Sequence, residues 1–107
     1  MENPPPTEAS SMKLVLCTVQ SQYVDIIDEI FAEHGALDWV RHPRAEGRDA
    51  DGRHRGNKVF PGNMASFFAY VPTEHLDALL EALRAFRSAR EAHGHLRASV
   101  FTPDHVL

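Results

Sequence analysis

One cysteine, Cys17, stands in a chain of 107 residues. That scarcity excludes an intrachain disulfide and any metal centre built from several thiolates. Cys17 sits in the apolar run LVLCTV, where a small buried strand residue is a plainer role than a nucleophile; a lone thiol also agrees with a reducing compartment. Long apolar runs are missing too, and nothing approaches the roughly 18 consecutive apolar residues of a membrane-spanning helix. Residues 1–12 (MENPPPTEASSM) have no basic n-region and no apolar h-region, so they do not read as a secretory signal. They read as a disordered Pro-rich tail ahead of a domain over 13–107, or as an extension before a start at Met12.

What is present is the composition of one soluble globular domain, 43% hydrophobic and 24% charged. A domain of this size buries only a modest core, which self-association would enlarge. The charge is segregated. Between Arg41 and Asn63 six basic residues (Arg41, Arg44, Arg48, Arg53, Arg55, Lys58) face three acidic ones (Glu46, Asp49, Asp51), a net of +3, leaving −7 for the remainder of a chain of net −4. A basic segment on an acidic body points to a localised anionic partner rather than to nucleic acid spread over a face.

Along the chain, Lys13 to Gln20 (KLVLCTVQ) reads as a buried strand. Ser21 offers a helix N-cap, and Tyr23, Ile26, Ile27, Ile30, Phe31 and His34 fall on one helical face, with Gly35 placed as a C-cap. Ala36 to His42 suits a strand that Pro43 would end. Pro43 to Asn63 (PRAEGRDADGRHRGNKVFPGN) lacks apolar periodicity and is punctuated by glycines and by the turn pairs Asp51-Gly52 and Pro61-Gly62. A loop that long inside a compact domain is functional or is a misassignment; the functional option is adopted. Met64 to Val71 reads as a second buried strand. Thr73 offers an N-cap, and Leu76, Leu79, Leu80, Leu83 and Phe86 repeat at helical spacing. Leu96 to Thr102 completes the pattern as a last strand.

The order β-α-β-loop-β-α-β predicts an α+β, ferredoxin-like βαββαβ domain, a four-stranded antiparallel sheet with both helices on one face. The opposite face then needs a partner, because Trp39, Phe67 or Phe68, and Phe101 would otherwise expose an apolar patch that monomers rarely tolerate. Homo-oligomerisation is expected on that ground.

Fold alone selects no function. The turn Gln20-Ser21-Gln22 lacks the glycine-bracketed arginine of an acylphosphatase, a single cysteine cannot make a heavy-metal-associated loop, and Met64 to Val71 has aromatics but no Lys or Arg for RNA. With a long Gly- and charge-rich segment at 43–63 between its second and third strands, the chain resembles the PII-like signal transduction proteins, whose T-loop has that position, length and composition. The resemblance covers about Met12 to Pro103. It implies a cytoplasmic regulatory homotrimer that binds a small effector in clefts between subunits, an adenine nucleotide (AMP, ADP or ATP) or bicarbonate among the candidates. It also implies that the loop controls a partner protein such as a membrane transporter or an enzyme. The sequence departs from the nucleotide-binding members at 87–97 (RSAREAHGHLR), which has one glycine, three arginines and two histidines.

On that reading Arg41, Arg44 and Lys58 at the loop, Gly62 and Asn63 at its base, and Arg90, Gly94 and Arg97 around the last turn are the candidate effector residues, as phosphate partners or backbone donors. The plainer alternative is ordinary solvated arginines. Seven histidines raise a second reading, metal binding by His93 and His95 with His42 or His54, although no standard ligand spacing is present. Catalysis has little support: Ser66 has no neighbouring base in sequence, and Cys17 has no cation nearby to activate it. The chain is not expected to be an enzyme.

Overall fold

A computed structural model describes residues 11–49, 52–54 and 63–107. The expected tail therefore lies outside the described residues up to residue 10. Met12 does not belong to it: this residue is buried and opens the first strand.

The elements are β1 (Met12–Gln20), α1 (Val24–Glu33), β2 (Asp38–Ala45), β3 (Gly47–Asp49), β4 (Gly52–His54), β5 (Met64–Pro72), α2 (Thr73–Ala89) and β6 (Arg97–Phe101), with single 3-10 turns at Ser21–Tyr23 and Glu91–His93. The four long strands form one antiparallel sheet in the order β2-β5-β1-β6. This is the ferredoxin-like arrangement that the amphipathic pattern implies, with β3 and β4 added as a separate two-stranded ribbon.

Side chains alternate across a strand, so one parity of β1 and β5 meets the helices. Val15, Cys17, Val19, Ala65, Phe67, Ala69 and Val71 are inaccessible and pack with Ile27 and Phe31 of α1 and Leu79, Leu83 and Phe86 of α2. Phe67 stacks on Phe31 with ring centroids 5.3 Å apart. The other parity carries Leu14, Leu16, Val40, Phe68, Tyr70 and Phe101, which the strand registers bring side by side on the open face. Val40, Phe68 and Phe101 there are 60%, 42% and 50% exposed.

Phe101 and one of the pair Phe67/Phe68 lie on that face as expected, whereas Trp39 belongs to the other. Trp39 is in register with Ala69 and packs against the core, its indole N–H donating to Asp28 Oδ1 at 2.9 Å. Phe67 is the interior member of its pair and Phe68 the exterior one. Ile26 likewise departs from the expected helix stripe and is exposed, because α1 begins only at Val24 and its buried line runs through Ile27 and Phe31.

Local signals were displaced at several ends. Ser21 does not cap α1; it lies in the preceding 3-10 turn, and its hydroxyl accepts from the Asn63 N–H at 3.3 Å. Thr73 is the first residue of α2 rather than its cap. Pro43 does not end β2, because the register shifts between His42 and Ala45 and the bulge accommodates a residue with no N–H to give the ladder. The segment taken as wholly irregular from Pro43 thus starts as strand and continues into the β3–β4 ribbon, where Gly47 pairs with His54 and Asp49 with Gly52.

Gly35 ends α1 as expected. It has φ +87°, and the Ala36 N–H returns to the Phe31 carbonyl at 3.2 Å, the long bond of a Schellman turn. A Cβ at this position would lie 2.5 Å from His75 Cγ on α2. Gly35→Ala is expected to destabilise the protein by about 1–3 kcal/mol from the left-handed backbone alone, with the His75 clash adding to it. Urea denaturation at fixed protein concentration measures this, and an unchanged midpoint would contradict it.

Candidate effector site

The sheet has a loop end. There β1 stops at Gln20, β5 begins at Met64 opposite it, β2 leaves through Ala45, and β6 begins at Arg97 opposite Thr18. The turn joining α2 to β6 closes the same end. Antiparallel registers therefore bring three sequence-distant segments together at one edge of the molecule: the loop base, the β1–α1 connection and the 90–96 turn.

The loop base is fastened to the β1–α1 connection by two bonds. The Ser21 N–H donates to the Asn63 carbonyl at 2.7 Å, and the Asn63 N–H donates to Ser21 Oγ at 3.3 Å. Asn63 Oδ1 is buried and accepts no hydrogen bond from the described residues. The 90–96 turn is fastened to β1 by His95, whose Nε2 accepts the Gln20 N–H at 2.8 Å. A backbone amide is only a donor, so the ring proton sits on Nδ1, which faces the Ala92 carbonyl at 2.9 Å. His93 Nδ1 lies 2.8 Å from the Phe86 carbonyl, one of the four that the end of α2 leaves unpaired. Its ring stacks on Phe86 at 4.0 Å and meets Tyr23 edge-on at 4.7 Å. Arg87 Nε donates to the Gly94 carbonyl at 3.2 Å. The turn is thus tied to its own helix and to the sheet.

Of the expected effector residues, Asn63, Arg90, Gly94 and Arg97 fall at this end, and Arg44 projects exposed from the β2 bulge beside it. Arg41 does not join them. It shares the helix-side parity with Phe67, and its guanidinium pairs with Asp25 at 3.2 Å and Asp28 at 3.4 Å on α1. Lys58 and Gly62 lie outside the described residues. Sequence reasoning missed Ser21 as the fastener of the loop base, and Arg87, His93 and His95 as the groups that shape the turn. The signal for the last three was position: basic side chains within a few residues of a helix C-terminus commonly satisfy its last carbonyls.

The histidine placement among the described residues does not favour the metal reading, and the side chain of His54 lies outside what is described. His93 and His95 are buried, with both ring nitrogens of His95 and Nδ1 of His93 at main-chain groups, and among the described residues no three His, Cys, Asp or Glu side chains cluster to hold an ion. Among the described residues the two candidate nucleophiles are poorly placed for catalysis. Cys17 is buried in the core, and burial pushes its thiol up to about 12, far from a reactive thiolate. Ser66, which sequence proximity left without a base, has His42 Nδ1 3.4 Å from its Oγ across the β2–β5 pairing. That contact is long, and the described residues supply no carboxylate to orient the ring.

What this end offers chemically is arginines around a turn of fixed shape, a setting for an anion. Among the described residues no helix is long and apolar enough to cross a membrane.

No protein-family model and no curated protein sequence matches the chain. Solved structures do. CPII, a nitrogen regulatory PII-like protein of Thiomonas intermedia K12 bound to ADP, AMP and bicarbonate, superposes with a TM-score of 0.62 at 17% identity, over 84% of this chain and 86% of that one. A DUF3240 family protein of Shewanella baltica OS155 gives 0.63 at 18% identity, over 87% and 89%. A protein of Thermus thermophilus assigned as PII-like signalling gives 0.59 at 20% identity, over 84% of each. The chain therefore has the ferredoxin-like fold of the PII-like proteins, in a form far diverged from these in sequence.

Proposed function

We propose that this protein is a PII-like regulator: a homo-oligomer, a trimer by the resemblance, that binds an adenine nucleotide at the loop end and passes the binding state to a partner protein through residues 43–63. The observation that carries the reading is the convergence of the loop base, the 90–96 turn and Arg44, Arg90 and Arg97 at one end of a sheet whose open face is apolar. The nucleotides and bicarbonate bound to CPII support the choice of ligand class. The open face, with Phe68 and Phe101 half-exposed beside Leu14 and Leu16, supports self-association. An effector that contacts Asn63 and the turn would fix the loop base, and the loop would then present a defined surface to an enzyme or a membrane transporter. The protein acts in the cytoplasm and catalyses nothing on this reading.

Titration calorimetry of the full chain against AMP, ADP, ATP and bicarbonate tests it. Saturable binding of at least one adenine nucleotide, with protection of the 43–63 segment from limited proteolysis, is the expected result. A flat response across the panel would sink the proposal.

A further inference from the structure

The strand β6 is an edge strand, and α2 does not seal its flank: all five of its residues are exposed, Val100 to 38% although it has the helix-side parity. The gap is a groove of about 370 Å³ between α2 and β6. Leu80, Leu96 and Val100 give it an apolar floor, Arg84 and Arg87 line it from α2, and among the described residues no carboxylate lines it. An uncovered edge of this kind is a template for pairing with other chains, which folded proteins commonly block with a covering segment.

We infer that residues 1–10 of the same chain (MENPPPTEAS) occupy this groove as a strap over the β6 flank, a role separate from any effector at the loop end. Charge selects the occupant. The only charged side chains of the segment are Glu2 and Glu8, which suit Arg84 and Arg87. Residues 55–62 (RGNKVFPG), the other long stretch outside the described residues, have Arg55 and Lys58 and no acid, so the same arginines repel them. Reach agrees. Leu14 is opposite Phe101, so the chain ahead of Met12 emerges just beyond the end of β6, beside the Val100 end of the groove. Passing the length of β6 takes about 20 Å and crossing it about 10 Å. Ten residues of extended or polyproline-type chain span roughly 31 Å. Pro4, Pro5 and Pro6 favour that extended helix, which lies well against an apolar groove and loses little conformational freedom in doing so. The hollow nearest the start of β1 is lined by Met12, Leu37, Tyr70 and the acidic Asp38, and Glu8 would meet a like charge there. A second copy laying its own β6 edge in the groove would set Arg84 and Arg87 against their counterparts, which counts against that occupant.

The test is nuclear magnetic resonance of the full chain with a spin label on Thr7→Cys; Cys17 is buried and stays unlabelled. Spin-labelled, isotope-enriched chains are diluted into an excess of plain protein, so that contacts within one chain dominate. The expected result is broadening centred on the amides of residues 80–87 and 96–100, relieved by added salt. Glu2→Lys/Glu8→Lys is expected to lower the ratio of seated to released strap by about five- to tenfold, since single surface charge contacts are weak but two reversals act together. Adding Arg84→Glu to Glu8→Lys is expected to restore broadening that Glu8→Lys alone loses, which a general loss of order would not do. Circular dichroism checks that each variant folds. No broadening, or broadening centred on Leu37 and Tyr70, overturns the inference. So does broadening seen only when label and isotope are on different chains, which would make the occupant a neighbouring copy's segment. Nucleotide binding at the loop end is read by a separate titration, so either reading can fail without the other.

Discussion

Replacing Phe68 with aspartate is expected to turn the assembled protein into a folded, smaller species. Phe68 lies mid-sheet on the open face, in register with Leu16 on β1 and Val40 on β2, and is 42% exposed in the isolated chain. If copies associate through this face, an aspartate at its centre places a charge in an apolar contact with no described cation opposite. Aromatic anchors at such centres contribute at least about 2 kcal/mol each, which corresponds to a roughly thirtyfold weaker dissociation constant. Burying an unpaired carboxylate adds further cost. Sedimentation over a concentration series reads the change, with circular dichroism as the control for folding. A wild-type protein that is monomeric throughout, or a variant that assembles like wild type, contradicts the proposed assembly surface.

The neighbouring residue should behave in the opposite way. Phe67→Ala is expected to cost about 3–5 kcal/mol of stability, the usual loss for emptying a buried phenylalanine site. Phe67 is wholly buried between the helices and the sheet and stacked on Phe31, so little solvent or side-chain movement can fill the space. Against a typical total of about 5–15 kcal/mol, that is a large share. Urea denaturation at one fixed concentration measures it, since any association would raise the apparent stability with concentration. A loss below about 1 kcal/mol would mean that the core is not organised around this ring. Together the pair assigns one phenylalanine to the protomer and the next to assembly.

That contrast shows where reading the chain alone stopped. The run MASFFAYV announces a strand but has apolar residues at both parities, so alternation could not say which phenylalanine faced the helices. The answer came from register: Phe67 opposite Cys17 and Phe68 opposite Leu16. Trp39 was misplaced for the same reason, being assigned to a face before the pairing of β2 with β5 was known. Helix interiors were more legible, because Leu79, Leu83 and Phe86 repeat on a period that the chain itself displays. Helix starts were less so. Ser21 and Thr73 have the right chemistry for caps, but Ser21 is used to hold Asn63, which is 42 residues away.

The candidate site divides in the same way. Charge segregation over 41–63 was visible from composition, and so was the cluster of arginines and histidines after α2. Which arginines share a site was not, since Arg41 turns to the α1 carboxylates while Arg44, Arg90 and Arg97 fall at the loop end. His93 and His95 looked like a ligand pair at short spacing and are instead hydrogen-bonded parts of the turn.

By itself the amino-acid sequence determined the order of the four long strands and two helices, the fold class, most of the apolar stripe of each helix and the place of the long basic segment ahead of β5, because these depend on local periodicity and composition. The tertiary structure decided which strand face is covered, which side chains meet at the loop end and which histidines are occupied. Those depend on strand register and on hydrogen bonds between residues far apart in the chain, and neither leaves a local trace in the sequence.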